Sequence, residues 1–119
     1  MRVLIPLLSE NDDAQFIKQA SESAKEIIIL IVVDASPGQK FGFTTSHINR
    51  GEKTVQEAKK IIKKKKIEDI IEWGETETKI RNNALLRRVD KVVMKTQYNQ
   101  FFERLVAKLR KEKIEVELI

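Results

Sequence analysis

The chain has no cysteine, and that removes disulfides, thiolate metal sites and a cysteine nucleophile. It has one histidine, His47, so a histidine-based metal site or catalytic triad is not expected. No apolar run approaches the roughly 20 residues that span a bilayer. The longest, Ile27 to Val33, has the length of a buried strand. Met1-Arg2 leads straight into such a strand with no signal-peptide pattern, so a cytoplasmic protein without a membrane partner is expected. Glycine and proline are scarce, at four and two residues, and three of the glycines fall between Asp34 and Gly51. After Gly74 there is no glycine at all.

What is present is charge and aliphatic bulk. Of the 119 residues 34% are charged, and the net charge is +5. The excess is uneven. Residues 1–50 hold five Lys/Arg against six Asp/Glu, and residues 51–119 hold 18 against 12. Lys59-Lys60 and Lys63 to Lys66 make up much of the difference. A basic cluster attracts phosphate backbones. Lysine at a helix end also complements the helix dipole without any partner. No aromatic residue is interleaved to stack bases, so nucleic-acid binding through this lysine-rich helix is kept only as an alternative.

Hydrophobic periodicity gives a regular order of elements. Arg2 to Leu8 is a continuous apolar strand, suited to burial on both faces. Pro6 lacks an N–H and belongs near the strand's end. Ser9 to Asp13 is a polar turn with helix-capping residues. The next helix sets Ala14, Ile17, Ala20 and Ala24 on one face, with Phe16 at its edge. Glu26 to Val33 is the strongest strand. The break from Asp34 to Gly51 is long for a plain connection. In it Phe41 and Phe43 flank Gly42, placed either to pack back or to close over a ligand. Glu52 to Lys66 predicts a helix with Val55, Ala58 and Ile62 inward.

From Asp69 onward the pattern is a complete βαβ unit. Ile70-Ile71 with Trp73 form a short strand, Gly74 breaks it, and Thr76 is placed to cap a helix bearing Ile80, Ala84 and Leu85. Asp90 precedes the strand Val92 to Met94. Tyr98 to Lys111 is an amphipathic helix with Phe101, Phe102, Leu105, Val106 and Leu109 on its buried side. Lys113 to Ile119 alternates strictly, with Ile114, Val116 and Leu118 facing one way and Glu115 and Glu117 the other, the pattern of an edge strand. The whole reads as one α/β domain over residues 1–119: five parallel strands and four helices in three α/β/α layers.

Certain residues carry a family resemblance. They are V-L-I-P-L at Val3 to Leu7 followed by S-E-N, then I-I-I-L-I-V-V-D at Ile27 to Asp34. Gly74, Ile80, Ala84 and Asp90 before V-V-M at Val92 to Met94 complete the set. In order and spacing the chain resembles the universal stress protein family. That resemblance implies the adenine nucleotide alpha hydrolase-like sheet order 3-2-1-4-5 and a common homodimer. The pattern departs from ATP-binding members at two places. They carry an Asp just after the first strand, where this chain has Leu7 and Leu8. They also follow the fourth strand with a glycine-rich phosphate loop, where this chain has K-T-Q-Y-N-Q-F-F. Glycine lets backbone N–H groups close on phosphates at φ values other residues avoid. A lone Lys95 is a point charge and not such a cradle.

The expected function is therefore non-enzymatic, through dimerisation and an unidentified protein partner, with no cofactor and no metal. The alternative is a small ligand, possibly ATP or AMP, in a rebuilt site. With the implied order, strand order reverses between the first and fourth strands, and ligands sit beyond the carboxyl ends at such a point. The candidate lining is Leu8, Ser9, Met94, Lys95 and Thr96, with Asp34 nearby. A receiver-type module is a weaker fit, because Trp73-Gly74 stands where a phosphoryl-accepting Asp belongs and Glu10, Asp12 and Asp13 suit a helix start. The candidate dimer strand is Ile114, Glu115, Val116, Glu117 and Leu118. Antiparallel pairing about Val116 sets Glu115 opposite Glu117, a repulsion that Lys111 and Lys113 are placed to offset. Otherwise these charges protect the edge from pairing.

Overall fold

The computed structural model describes residues 1–9, 11–34, 43–44 and 47–119. Glu10, Phe41 and Gly42 of the sequence reading lie outside the described residues. Among the described residues five strands, β1 (Arg2–Leu7), β2 (Glu26–Val33), β3 (Lys66–Trp73), β4 (Lys91–Met94) and β5 (Val116–Leu118), alternate with four helices. These are α1 (Ala14–Ala20), α2 (Ile48–Ile61), α3 (Thr76–Leu86) and α4 (Gln100–Lys111). The strands form one parallel sheet in the order β3-β2-β1-β4-β5.

Strand periodicity explains the layers. Successive side chains of a strand point to opposite faces, so an uninterrupted apolar strand feeds two cores. Val3, Ile5, Leu7, Ile27, Ile29 and Ile31 face α1 and α2, where they meet Phe16, Ile17, Val55 and Ala58. Leu4, Ile28, Leu30, Val32, Val92 and Met94 face α3 and α4, where they meet Ile80, Ala84, Phe102 and Leu105. Each fully buried aliphatic side chain contributes about 1.5–3 kcal/mol. The central strands therefore anchor everything else.

Pro6 sits near the end of β1, as expected, one residue before Leu7 and opposite Leu30. It is tolerated on this central strand because β1 pairs with β4 only through Val3 and Leu4, so the missing N–H falls beyond that ladder. Other expectations are corrected. Helix α1 ends at Ala20, leaving Ala24 in the following turn, and Phe16 is core and not edge. Helix α2 begins at Ile48 and takes in Gly51, whose bare Cα lets the helix rest on Ile31; a Cβ there would lie 3.0 Å from Ile31 Cδ1. It stops at Ile61, so Lys63 to Lys66 are not helical. Strand β3 is eight residues long and starts at Lys66. As an edge strand it accepts charged side chains while its backbone pairs with β2. Leu85 and Phe101 are exposed, and the buried face of α3 is completed by Thr76 and Asn83.

Strand β5 is shorter than the alternation implies. Lys113 and Ile114 belong to the end of α4. Lys113 N donates to Arg110 O and Ile114 N to Leu109 O, with Lys113 at φ 64°. Helix α3 ends the same way, with Arg88 N on Leu85 O, Val89 N on Ala84 O, and Arg88 at φ 50°. Both are Schellman turns, in which the left-handed position is usually glycine. Ile114 and Val116 are buried as expected, but Leu118 is 36% exposed at the sheet's edge.

Candidate functional site

The carboxyl ends of β1 and β4 diverge, and the segments leaving them line an open depression of about 590 Å³. Among the described residues its lining is Ser9, Asn11, Asp12, Lys95, Thr96 and Gln97. Ser9, Lys95 and Thr96 were expected there. Leu8 and Met94 are not lining; both are buried in the core that faces α3 and α4. Asp34 is elsewhere. It leaves the end of β2, and its Oδ2 accepts from Thr76 N and Thr76 Oγ1, both at 2.9 Å. Thr76 therefore does not cap α3, and Glu75 at the N-cap makes no side-chain capping bond. Asp34 supplies that contact from a different strand.

The residue that organises the depression is Asp12, which the sequence placed only as a helix start. It is 2% exposed. Its Oδ2 accepts from Leu8 N at 2.7 Å, and its own N donates to Ser9 O at 3.1 Å. Burial raises its pKa above the ordinary 3.8, opposed by the Leu8 N–H and by the charge of Lys95. Lys95 Nζ also donates to Asn11 O at 3.1 Å, tying the β4 exit to the β1 turn. The signal for this turn lies in S-E-N-D-D. Asp four residues after Leu8 can fold back onto that backbone N–H, as short acidic side chains do in turns.

Other backbone donors near the mouth are engaged as well. Thr96 N donates to Ile119 O at 2.8 Å, and Asn11 N to Ser9 Oγ at 3.2 Å. At the start of α4, Asn99 Oδ1 accepts from Phe102 N at 2.8 Å. The β4–α4 connection thus holds an ordinary helix cap where a phosphate loop would need free N–H groups.

At the candidate dimer strand, Glu115, Glu117 and Leu118 are exposed. Glu117 pairs with Lys91 of the neighbouring strand at 2.9 Å. The lysine-rich segment is divided. Lys59 pairs with Asp69, and Lys65 Nζ donates to the Ser21 and Glu22 carbonyls, while Lys63, Lys64 and Lys66 are exposed. Among the described residues no group of three or more His, Asp or Glu is arranged to hold a metal ion. Among them, too, no helix is long and apolar enough to cross a membrane.

No family model matches the sequence, and no curated protein matches it. Solved structures do match the fold. The hypothetical protein MJ0577 superposes with a TM-score of 0.68 at 18% identity, covering 99% of this chain and 94% of that one. The universal stress protein UspA from Lactobacillus plantarum gives 0.62 at 15% identity, covering 100% and 97%. The hypothetical protein PH0823 gives 0.63 at 18%, covering 99% and 93%. With the 3-2-1-4-5 parallel sheet, the four flanking helices and end-to-end superposition on UspA, the chain has the universal stress protein fold.

Proposed function

We propose that this is a non-enzymatic universal stress protein-like chain that acts in the cytoplasm through self-association and partner contacts, without ATP. One observation carries the reading: three backbone donors beside the β1–β4 depression are spent inside the chain. Leu8 N is taken by Asp12, Thr96 N by Ile119 and Phe102 N by Asn99. A triphosphate would have to displace these bonds and approach the Asp12 carboxylate. Lys95 offers it one cation, already shared with Asn11 O. A point charge does not replace a set of convergent N–H groups.

Self-association is assigned to β5. Among the described residues no strand lies beyond its outer edge in the sheet, and Leu118 is partly exposed there. The Lys91–Glu117 pair reduces the repulsion that would arise when Glu117 meets Glu115 of a second copy.

Titration calorimetry with ATP and with AMP, in the presence of magnesium, tests the nucleotide part. No heat at millimolar nucleotide is expected. Binding in the micromolar range would overturn it and favour the rebuilt nucleotide site. Sedimentation tests the β5 part: a concentration-dependent dimer is expected, lost in Val116→Pro, and a monomer at all concentrations would rule it out.

A further inference from the structure

All strands are parallel, so every strand start and every helix end lie at one end of the molecule. That end comprises residues 1–2, 18–26, 59–68, 87–91 and 108–115. It holds 16 of the 23 Lys/Arg and 6 of the 18 Asp/Glu, a net +10, while the rest of the chain is −5. The sum of +5 hides a strongly two-ended molecule. Among the described residues Lys63, Lys64, Lys66, Arg88, Lys111 and Lys113 are exposed, and none of them takes part in an ion pair.

Helix dipoles account for some cations here but not for where three of them stand. Among the described residues the non-glycine positions with positive φ are Lys64 at 62°, Arg88 at 50° and Lys113 at 64°. All three are basic, and all three are in turns at this end. Glycine adopts this conformation without the penalty other L-residues incur there. The chain puts a cation in each of these turns despite that backbone cost.

Exposed aliphatic residues accompany the charge. Leu86, the last residue of α3, is 82% exposed; Leu85 beside it is 47% exposed, and Met1 is 55% exposed. Leu85-Leu86 run directly into Arg87-Arg88. Arg2 reaches Arg87 O at 2.7 Å, which ties the N-terminus to the same corner.

We infer that this end of the sheet is a docking face for an anionic bilayer surface. Lysines outnumber arginines twelve to four at this end, which suits a diffuse layer of headgroups that needs point charges and not rigid forks. The leucine pair supplies what a phosphate backbone cannot use, an apolar group placed to enter the headgroup–acyl boundary. The expectation of no membrane partner rested on the length of apolar runs, which bears on spanning and not on surface attachment. The net negative remainder of the chain orients the molecule with its basic end toward the membrane.

Co-sedimentation of the full chain with phosphatidylcholine vesicles, with and without about one third phosphatidylserine, tests this. Binding is expected only to the anionic vesicles, and it should fall as salt rises. Replacing Lys63, Lys64 and Lys66 by Gln should weaken it about a hundredfold, at roughly a factor of five per lysine. Leu86→Ser should weaken vesicle binding about tenfold with net charge unchanged. The triple variant Lys64→Gly, Arg88→Gly, Lys113→Gly should raise Tm and yet lose vesicle binding. Equal binding to neutral vesicles, no binding at low salt, or wild-type binding by the Leu86→Ser or glycine variants would each overturn the proposal. Retention on duplex DNA without vesicle binding would overturn it in favour of a nucleic-acid face.

Discussion

Replacing Asp34 by Ala should be among the most damaging single changes at the carboxyl end of the sheet. The Asp34 carboxylate is 6% exposed and caps α3 from the end of β2. Its partner Thr76 is 2% exposed, so water cannot easily take over either bond. Loss of a helix cap costs about 1 kcal/mol. Leaving the Thr76 N–H and hydroxyl buried without an acceptor adds about 1–3 kcal/mol. The expected loss is therefore ~2–4 kcal/mol, or a fall in Tm on the order of 10 °C for a domain of this size. Urea unfolding at neutral pH is the assay, with the m-value as a check on two-state behaviour. Asp34→Asn keeps an acceptor oxygen of the same shape and should lose less than ~1 kcal/mol. Thr76→Val removes only the hydroxyl bond, and its cost should largely disappear in the Asp34→Ala background. The reasoning is refuted if Asp34→Ala costs under ~0.5 kcal/mol, or if Asn is as harmful as Ala. The latter result would make charge near the α3 terminus, and not hydrogen bonding, the source of stability.

Two further changes probe the same end. Burial raises the Asp12 pKa, so the folded state holds this proton more tightly than the unfolded state. Its contribution is complete below the unfolded value of 3.8 and is lost as pH rises through the raised folded value. Asp12→Asn should therefore gain stability relative to the parent at neutral pH, and the gap should close on acidification. Thermal melts from pH 3 to 7 read this directly, and a gap that widens toward acid would contradict it. Asn99→Ala removes the α4 cap and should cost about 1 kcal/mol, with Asn99→Ser close to the parent; equal melting of the parent and the Ala variant would show that this bond adds nothing.

The parts of the fold that were legible were those fixed by burial on two faces. Ile27 to Val33 is β-branched and unbroken, and β2 begins one residue before it and ends with it. What misled was chemistry that serves two purposes. Gly51 signals a break in a sequence, but here it is a helical residue chosen for close approach to Ile31. Lys66 looks like the end of a solvated helix, but backbone pairing starts β3 there, because an edge strand needs only one partner. Leu85 and Phe101 satisfy the helical period and still point outward, since period alone does not tell how wide the covered face is. Sheet order alone brings Ser9, Lys95 and Thr96 to the β1–β4 mouth, while Leu8 and Met94 turn into the core. Asp34 is not brought there, because its partner lies 42 residues away and no local pattern encodes such a contact.

The same inventory explains why the two ends of this sheet attract different things. Helix N-termini gather at the carboxyl end and would ordinarily present free N–H groups to an anion. At α1, α3 and α4 the chain supplies an acceptor of its own: Asp13 caps Phe16 N, Asp34 caps Thr76 N and Asn99 caps Phe102 N. Each of these bonds stabilises a helix and also puts an oxygen where a phosphate would have to sit. Helix C-termini gather at the other end, and there cations are concentrated, even in turns where glycine would fit with less strain. Even the shortest extent of the molecule, 26 Å, is about three Debye lengths at physiological ionic strength. Charge changes at one end should therefore leave the other undisturbed. It follows that Lys63, Lys64 and Lys66 variants should leave the nucleotide titration unchanged, and that Asp12→Asn should leave vesicle binding unchanged.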